Sequence, residues 1–307
     1  MPNVGALDIG GTKIAAGIVD NEGKVLAGME CATQPERGFP DAMDRMESML
    51  RECARQSGVA MDGIGIGSTG PVDPLTGEIG DADFIRAWMG FNPVNELAHR
   101  FGLKVAMEND ADAAALGEAA WGAGRGLHHM IFVTVGTGIG AGIVIGGKLY
   151  RGVAGSHPEV GHHVIEASGP QCYCGASGCW ELLARGPAMT EWMLSQDPAR
   201  GYTGKEICDM ARSGDPLARQ AVEREARYLG IGLANLITVF TPEAIVLGGS
   251  VMRSADLLMG DIKETIRRNC SLVPSDKVEI RLASLGAHAG LIGAARVWHS
   301  RFPEYEG

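Results

Sequence analysis

No run of five or more Lys or Arg residues occurs in the 307-residue chain, and its 27 basic side chains are outnumbered by 37 acidic ones, for a formal charge of −10. An acidic chain without a basic stripe argues against nucleic acid or an anionic membrane as the main partner. Only a few residues precede the first strand-like segment, so no signal peptide is expected. No low-complexity linker interrupts the chain, so a hinge between halves has to be built from the ends of regular elements. Long uncharged runs are also scarce. The exception, Met130 to Gly147, spans 18 residues and carries six glycines with a Thr-Val-Gly-Thr-Gly turn signal, which makes it a hairpin rather than a membrane span. The cysteines number seven, an odd count for a disulfide framework. Cys172, Cys174 and Cys179 crowd into one loop, whereas Cys31, Cys53, Cys208 and Cys270 are scattered among apolar neighbours. The cluster suggests a metal, the others reduced and packed thiols, and the expected compartment is the cytoplasm.

What is present is an ordinary globular balance, 45% apolar and 21% charged, in a chain long enough for two domains. Val4 to Ile9 reads as a strand, Gly10-Gly11-Thr12 as a tight turn, and Ile14 to Val19 and Lys24 to Ala27 as the next two strands. Met43, Met46, Met49, Leu50 and Cys53 fall at helical spacing. A strand at Ile64 to Gly67, a helix at Pro93 to Phe101, a strand at Lys104 to Met107 and a helix at Ala113 to Ala120 follow. The opening phrase then returns: Met130 to Val135, the turn Gly136-Thr137-Gly138, Ile139 to Ile145, and Lys148 to Tyr150. Two glycine-turn hairpins, each opening an α/β half, predict a duplicated fold with one phosphate-binding hairpin per half. Domains are expected at 1–117 and 118–289, the larger one holding the cysteine loop. Thr203-Gly204-Lys205-Glu206 fits a capping box. Helices are expected from Pro216 to Leu236 and around Leu258, Ile262 and Ile266, strands at Ala244 to Leu247 and Val278 to Leu282, and a last helix from Ala289.

Three places carry chemistry. Asp8 ends a strand ahead of Gly10-Gly11-Thr12-Lys13, where missing side chains let backbone N–H groups approach a phosphate. Thr137 and Gly138 repeat that arrangement; a plain turn is the alternative in each case. Glu108-Asn109-Asp110-Ala111-Asp112 sits at the carboxyl end of a strand, where α/β folds bind ligands. A carboxylate there accepts a hydroxyl proton while the amide aims the hydroxyl, although Asn109 or Asp110 could simply cap the helix. His162, Cys172, Cys174 and Cys179 supply one imidazole and three thiolates, a donor set for a closed structural zinc site. His157 and His163 are competing imidazoles. Glu159 and Glu181 flank this loop.

Asp8 to Lys13, Glu108-Asn109-Asp110, Val135 to Gly142, Glu159-Val160-Gly161-His162 and the run from Cys172 to Glu181 together resemble the signatures of the ROK family (repressor, open reading frame, kinase), in the family's order. The resemblance implies an α/β, actin-like (hexokinase/ribonuclease H-like) fold of two domains around a central cleft, with the last helix, about 290–307, returning to the first domain. It implies ATP with Mg2+ and transfer of the γ-phosphoryl group to the 6-hydroxyl of a hexose, with glucose expected. On this resemblance Asp110 is the general base, and Asn109, Glu159, His162 and Glu181 hold the sugar. His162 also binds zinc beside the three cysteines. Asp8, Gly10, Gly11, Thr12, Lys13, Thr137, Gly138, Gly248 and Gly249 serve ATP, and the chain is expected to form a homodimer. The alternatives are a kinase of N-acetylmannosamine or another amino sugar, a sugar-sensing repressor without its DNA-binding domain, and an actin-like ATPase. Three segments depart from the family pattern: Ser68-Thr69-Gly70 stands where Pro-Gly is usual, Asp81 to Trp88 replaces an Asn-Leu-Pro-like stretch, and His163 follows the Gly-His pair.

Overall fold

A computed structural model describes residues 2–81, 83–198 and 201–305. The chain divides into two compact units. The first comprises residues 1–128, 142–158 and 283–307, and the second 129–141 and 159–282.

The first unit opens with strands β1 (Val4–Ile9), β2 (Lys13–Val19) and β3 (Val25–Ala32), paired antiparallel in turn. After helix α1 (Phe39–Ser57), strand β4 (Gly63–Ser68) joins β1 in parallel. Helix α2 (Pro93–Phe101) leads to β5 (Lys104–Asn109), which joins β4 in parallel, and helix α3 runs from Asp110 to Trp121. The sheet order is β3-β2-β1-β4-β5. One face of the sheet buries Leu7, Ile9, Ile64 and Ile66 against Met43, Met46 and Leu50 of α1, the spacing that marked this helix in the sequence. The alternation Gly63-Ile64-Gly65-Ile66 sends its glycines to the other face. There a Cβ on Gly63 would overlap the Trp298 indole and one on Gly65 the backbone of Ala294, so the missing side chains let a helix lie directly on the strand.

The second sheet is built from β6 (Met130–Val135), β7 (Ile139–Ile145), β8 (Lys148–Leu149), β9 (Ala244–Gly248) and β10 (Glu279–Leu282). Its order, β10-β9-β6-β7-β8, repeats that of the first sheet strand for strand. The expected duplication is therefore real, and Met130 to Gly147 forms two strands and their turns. Helices α4 (Trp180–Ala184), α5 (Gly186–Gln196), α6 (Gly204–Arg212), α7 (Pro216–Phe240) and α8 (Ala255–Asn269) belong to the second unit. The Thr203 capping box forms as its residues require, with Glu206 reaching back to the Thr203 N–H at 2.8 Å. Among the described residues no helix is long and apolar enough to cross a membrane.

Glu225 of α7 is fully buried, and neither of its carboxyl oxygens has a hydrogen-bond partner among the described residues. Burial pushes its pKa up to about 8, against an opposing pull from the Arg224 charge.

The last helix, α9 (Ala289–Arg301), returns to the first unit, where Leu291, Ala294, Ala295 and Trp298 cover Val4, Ala6 and Val19. It stops at Arg301 and does not run on to 307. Phe302 precedes Pro303, and a residue before proline is pushed out of the helical region. Residues 306 and 307 lie outside the described residues, as does Ala82 of the stretch Asp81 to Trp88. Helix α3 begins at Asp110, three residues before the predicted start, because Asn109 caps it.

Candidate active site

The first unit contributes the corner between β5 and α3. Asn109 accepts the Ala111 N–H at 2.9 Å as a cap, and its amide donates to the Gly70 carbonyl at 3.4 Å. The unusual Ser68-Thr69-Gly70 segment thus holds the side chain beside the candidate base. Asp110 also accepts the Ala111 N–H, at 2.8 Å, and keeps an open face toward solvent. Protein crowds the carboxyl on its other sides. That partial burial first, and the charge of Asp8 second, push it up to about 6. Such a group is ionised at neutral pH yet basic enough to take a hydroxyl proton.

The acids flanking this corner are both buried and both held. Glu108 receives Arg151 through both of that guanidinium's contacting nitrogens and Arg301 at 3.3 Å. Asp112 pairs with His157 Nδ1 at 2.9 Å. His157 is therefore a partner of the α3 helix and takes no part in the cysteine cluster.

At the first glycine turn, Gly10 N–H donates to the Lys13 carbonyl at 2.9 Å. Buried Thr33 donates to the Gly10 carbonyl at 2.6 Å, a brace that sequence reasoning missed. Thr12 and Lys13 are exposed, and Lys13 reaches Glu30 at 2.8 Å. Asp8 lies against the first turn of α9, where a side chain on Gly290 would overlap its carboxylate. Burial raises the Asp8 pKa and the nearby Lys13 charge pulls it down.

The second unit brings the second turn and the cysteine loop together. Glu181, 8% exposed, accepts the Ile139 N–H at 2.9 Å through Oε2, directly after Thr137 and Gly138. Its other oxygen accepts the Tyr173 hydroxyl at 3.0 Å. That hydroxyl also lies 3.0 Å from His162 Nε2. Gly248 ends β9 and Gly249 follows it beside Val135, where a Cβ on Gly249 would overlap the backbone. Glu159 is exposed, and its carbonyl accepts the His162 N–H at 3.0 Å.

The ligand atoms of His162, Cys172, Cys174 and Cys179 all lie within 4.8 Å of one another. Cys174 Sγ stands 3.5 Å from Cys179 Sγ, and Cys172 Sγ 3.7 Å from His162 Nδ1. A tetrahedral zinc with bonds of about 2.0–2.3 Å spans ligand pairs at roughly 3.5–3.8 Å, so donor set and spacing fit that ion and leave no position for substrate. His163 stays out of the cluster, its Nδ1 on the Val160 carbonyl and its ring against Trp180.

Residues 4–301 match the ROK family profile. The chain belongs to the ROK family. It is 36% identical to a glucokinase of Streptomyces coelicolor over 94% of this chain and 95% of that protein. Among solved ROK structures, the hexokinase from Thermus thermophilus superposes with a TM-score of 0.88 at 36% identity, covering 99% of this chain and 100% of the other. The ROK glucokinase from Streptomyces griseus, solved with glucose and AMPPNP, gives 0.79 at 35% identity over 95% and 98% of the two chains. Both strand orders are those of the actin-like fold expected of a ROK protein.

Proposed function

We propose that the chain is an ATP-dependent glucokinase, transferring the γ-phosphoryl group of MgATP to the 6-hydroxyl of glucose. Similarity along almost the whole chain to glucokinases, one of them holding glucose and an ATP analogue, supports this reading. The observation that carries it is Asp110: an accessible carboxylate, raised to about 6, aimed by its own helix cap and seated beside an amide fixed at both ends.

In this reading Asp110 takes the 6-hydroxyl proton as the oxygen attacks phosphorus, and Asn109 sets the hydroxyl's direction. Glu159, His162 and Glu181 hold the other sugar hydroxyls. Backbone N–H groups at Gly10, Gly11, Thr12, Thr137 and Gly138 receive the phosphates, with Lys13 at the same turn and Gly248 and Gly249 beside the adenosine. Asp8 lies where it can hold the nucleotide's Mg2+ through water; that ion neutralises charge on the phosphates when bound. Most of the protein's work in such a transfer is positioning and charge stabilisation. The metal cluster is assigned as one structural zinc, ordering the loop between His162 and Glu181. ATP as substrate and seven free cysteines support a cytoplasmic location, and a homodimer follows from the family resemblance.

Asp110→Asn keeps the shape and the helix-opening position but cannot accept the proton. It should lower kcat by ~10²-fold or more while glucose still binds. A coupled kinase assay over hexoses and N-acetylhexosamines checks both this and the substrate. A variant retaining a tenth of the activity removes Asp110 from the role of base, and preference for N-acetylmannosamine replaces glucose with an amino sugar.

A further inference from the structure

The Tyr173 hydroxyl bridges two groups that the proposed function gives to the sugar. It donates to Glu181 Oε1 at 3.0 Å and lies 3.0 Å from His162 Nε2. The other ends of both residues are already committed: Glu181 Oε2 to the Ile139 N–H at 2.9 Å, and His162 Nδ1 toward Cys172 Sγ at 3.7 Å. With a metal ion held at Nδ1 by the cysteine cluster, the imidazole proton would sit on Nε2. One oxygen then accepts from His162 and donates to Glu181, the pattern a sugar hydroxyl offers.

Little else holds the side chain there. Tyr173 is 72% exposed, and its ring meets the His162 ring edge-on at 5.1 Å. Glycines 175 and 178, at φ +95 and +74, bend the loop behind it. The polar groups below it are firmly seated, whereas an exposed side chain turns about its own bonds within nanoseconds.

We propose that, in the free protein, the Tyr173 hydroxyl occupies the position of the sugar hydroxyl received by His162 and Glu181, and that Tyr173 sets sugar affinity by having to leave. This rests on the sugar-kinase reading and adds to it a competitor supplied by the chain itself. Sugar entry exchanges one hydroxyl for another at the same two partners, so much of the gain from those bonds is spent on the displacement. A ligand unable to engage both partners cannot recover that cost, and the tyrosine therefore also discriminates.

Tyr173→Phe keeps the ring and loses both bonds. Measured by calorimetric titration with glucose, it should bind roughly 5- to 30-fold more tightly, less than two such hydrogen bonds are worth in a closed site because Tyr173 is largely open to water. KM for glucose should fall in step, with kcat and KM for ATP within about twofold of wild type and zinc content equal. An active kinase whose Tyr173→Phe variant binds glucose equally or more weakly overturns the competition and leaves the kinase reading intact. A wild-type protein that phosphorylates neither a hexose nor an N-acetylhexosamine refutes the kinase reading itself.

Discussion

Replacing Glu225 by Gln tests how much stability the second unit loses to one buried acid. Its pKa of about 8 in the folded chain stands against an ordinary 4.5. The folded state therefore holds the proton more tightly than the unfolded state does. The stabilisation this gives is complete below pH 4.5 and is lost as pH rises through 8. Integrating the linkage relation between those two values, roughly 2–3 kcal/mol disappears between pH 5 and pH 7, and roughly 1 kcal/mol more by pH 8. Glutamine has the same shape and no proton to lose. The variant should therefore gain on wild type by ~2–3 kcal/mol over that first interval, whatever its offset at pH 5. Urea unfolding at pH 5, 6, 7 and 8, followed by tryptophan fluorescence, to which Trp180 of the second unit contributes, measures the difference; other titrating groups cancel between the two proteins. A difference that stays flat with pH would refute the reasoning, since it would mean that Glu225 finds a partner or water when ionised.

Two further outcomes follow from the site. Because Asp110 works ionised, kcat/KM for glucose should rise with pH through about 6; Asp8→Asn removes the charge that helps raise it, so the variant, though weaker, should show that limb at lower pH, and an unmoved limb in the pH profile would sever Asp8 from the base. The protein should carry one zinc per chain by metal analysis, and Cys174→Ser should raise KM for glucose far more than KM for ATP; fully active protein without zinc would remove the structural clip.

Much of this molecule was legible in its sequence because glycine turns and apolar periods are local signals. Met130–Val135 and Ile139–Ile145 fall where the pattern put them. Strand β3 was read short, as Lys24 to Ala27, because its outer half carries exposed Met29 and Glu30 and lacks the alternation of a half-buried strand. His162, Cys172, Cys174 and Cys179 were readable as one cluster because the three cysteines crowd into eight residues close after the histidine. Tyr173 was not, because its meaning lies in where a bent loop puts its hydroxyl. Nor did any pattern announce that Glu225 is buried without a partner among the described residues, or that Asp112 faces His157: charges on a helix read the same whether solvent or protein covers them.

The placement of α9 governs the order in which a newly made chain can mature. All five strands of the first sheet are complete at Asn109, yet the helix that covers Val4, Ala6 and Val19 ends only at Arg301. At synthesis rates of about 5–20 residues per second, one face of that sheet waits roughly 10–40 s for its cover. During that interval an apolar surface stands open on the ribosome, where chaperones or the wrong neighbour can reach it. Shortening the chain before Trp298 would make the exposure permanent, so a nonsense mutation close to the end would be as damaging to the first strands as one near the start.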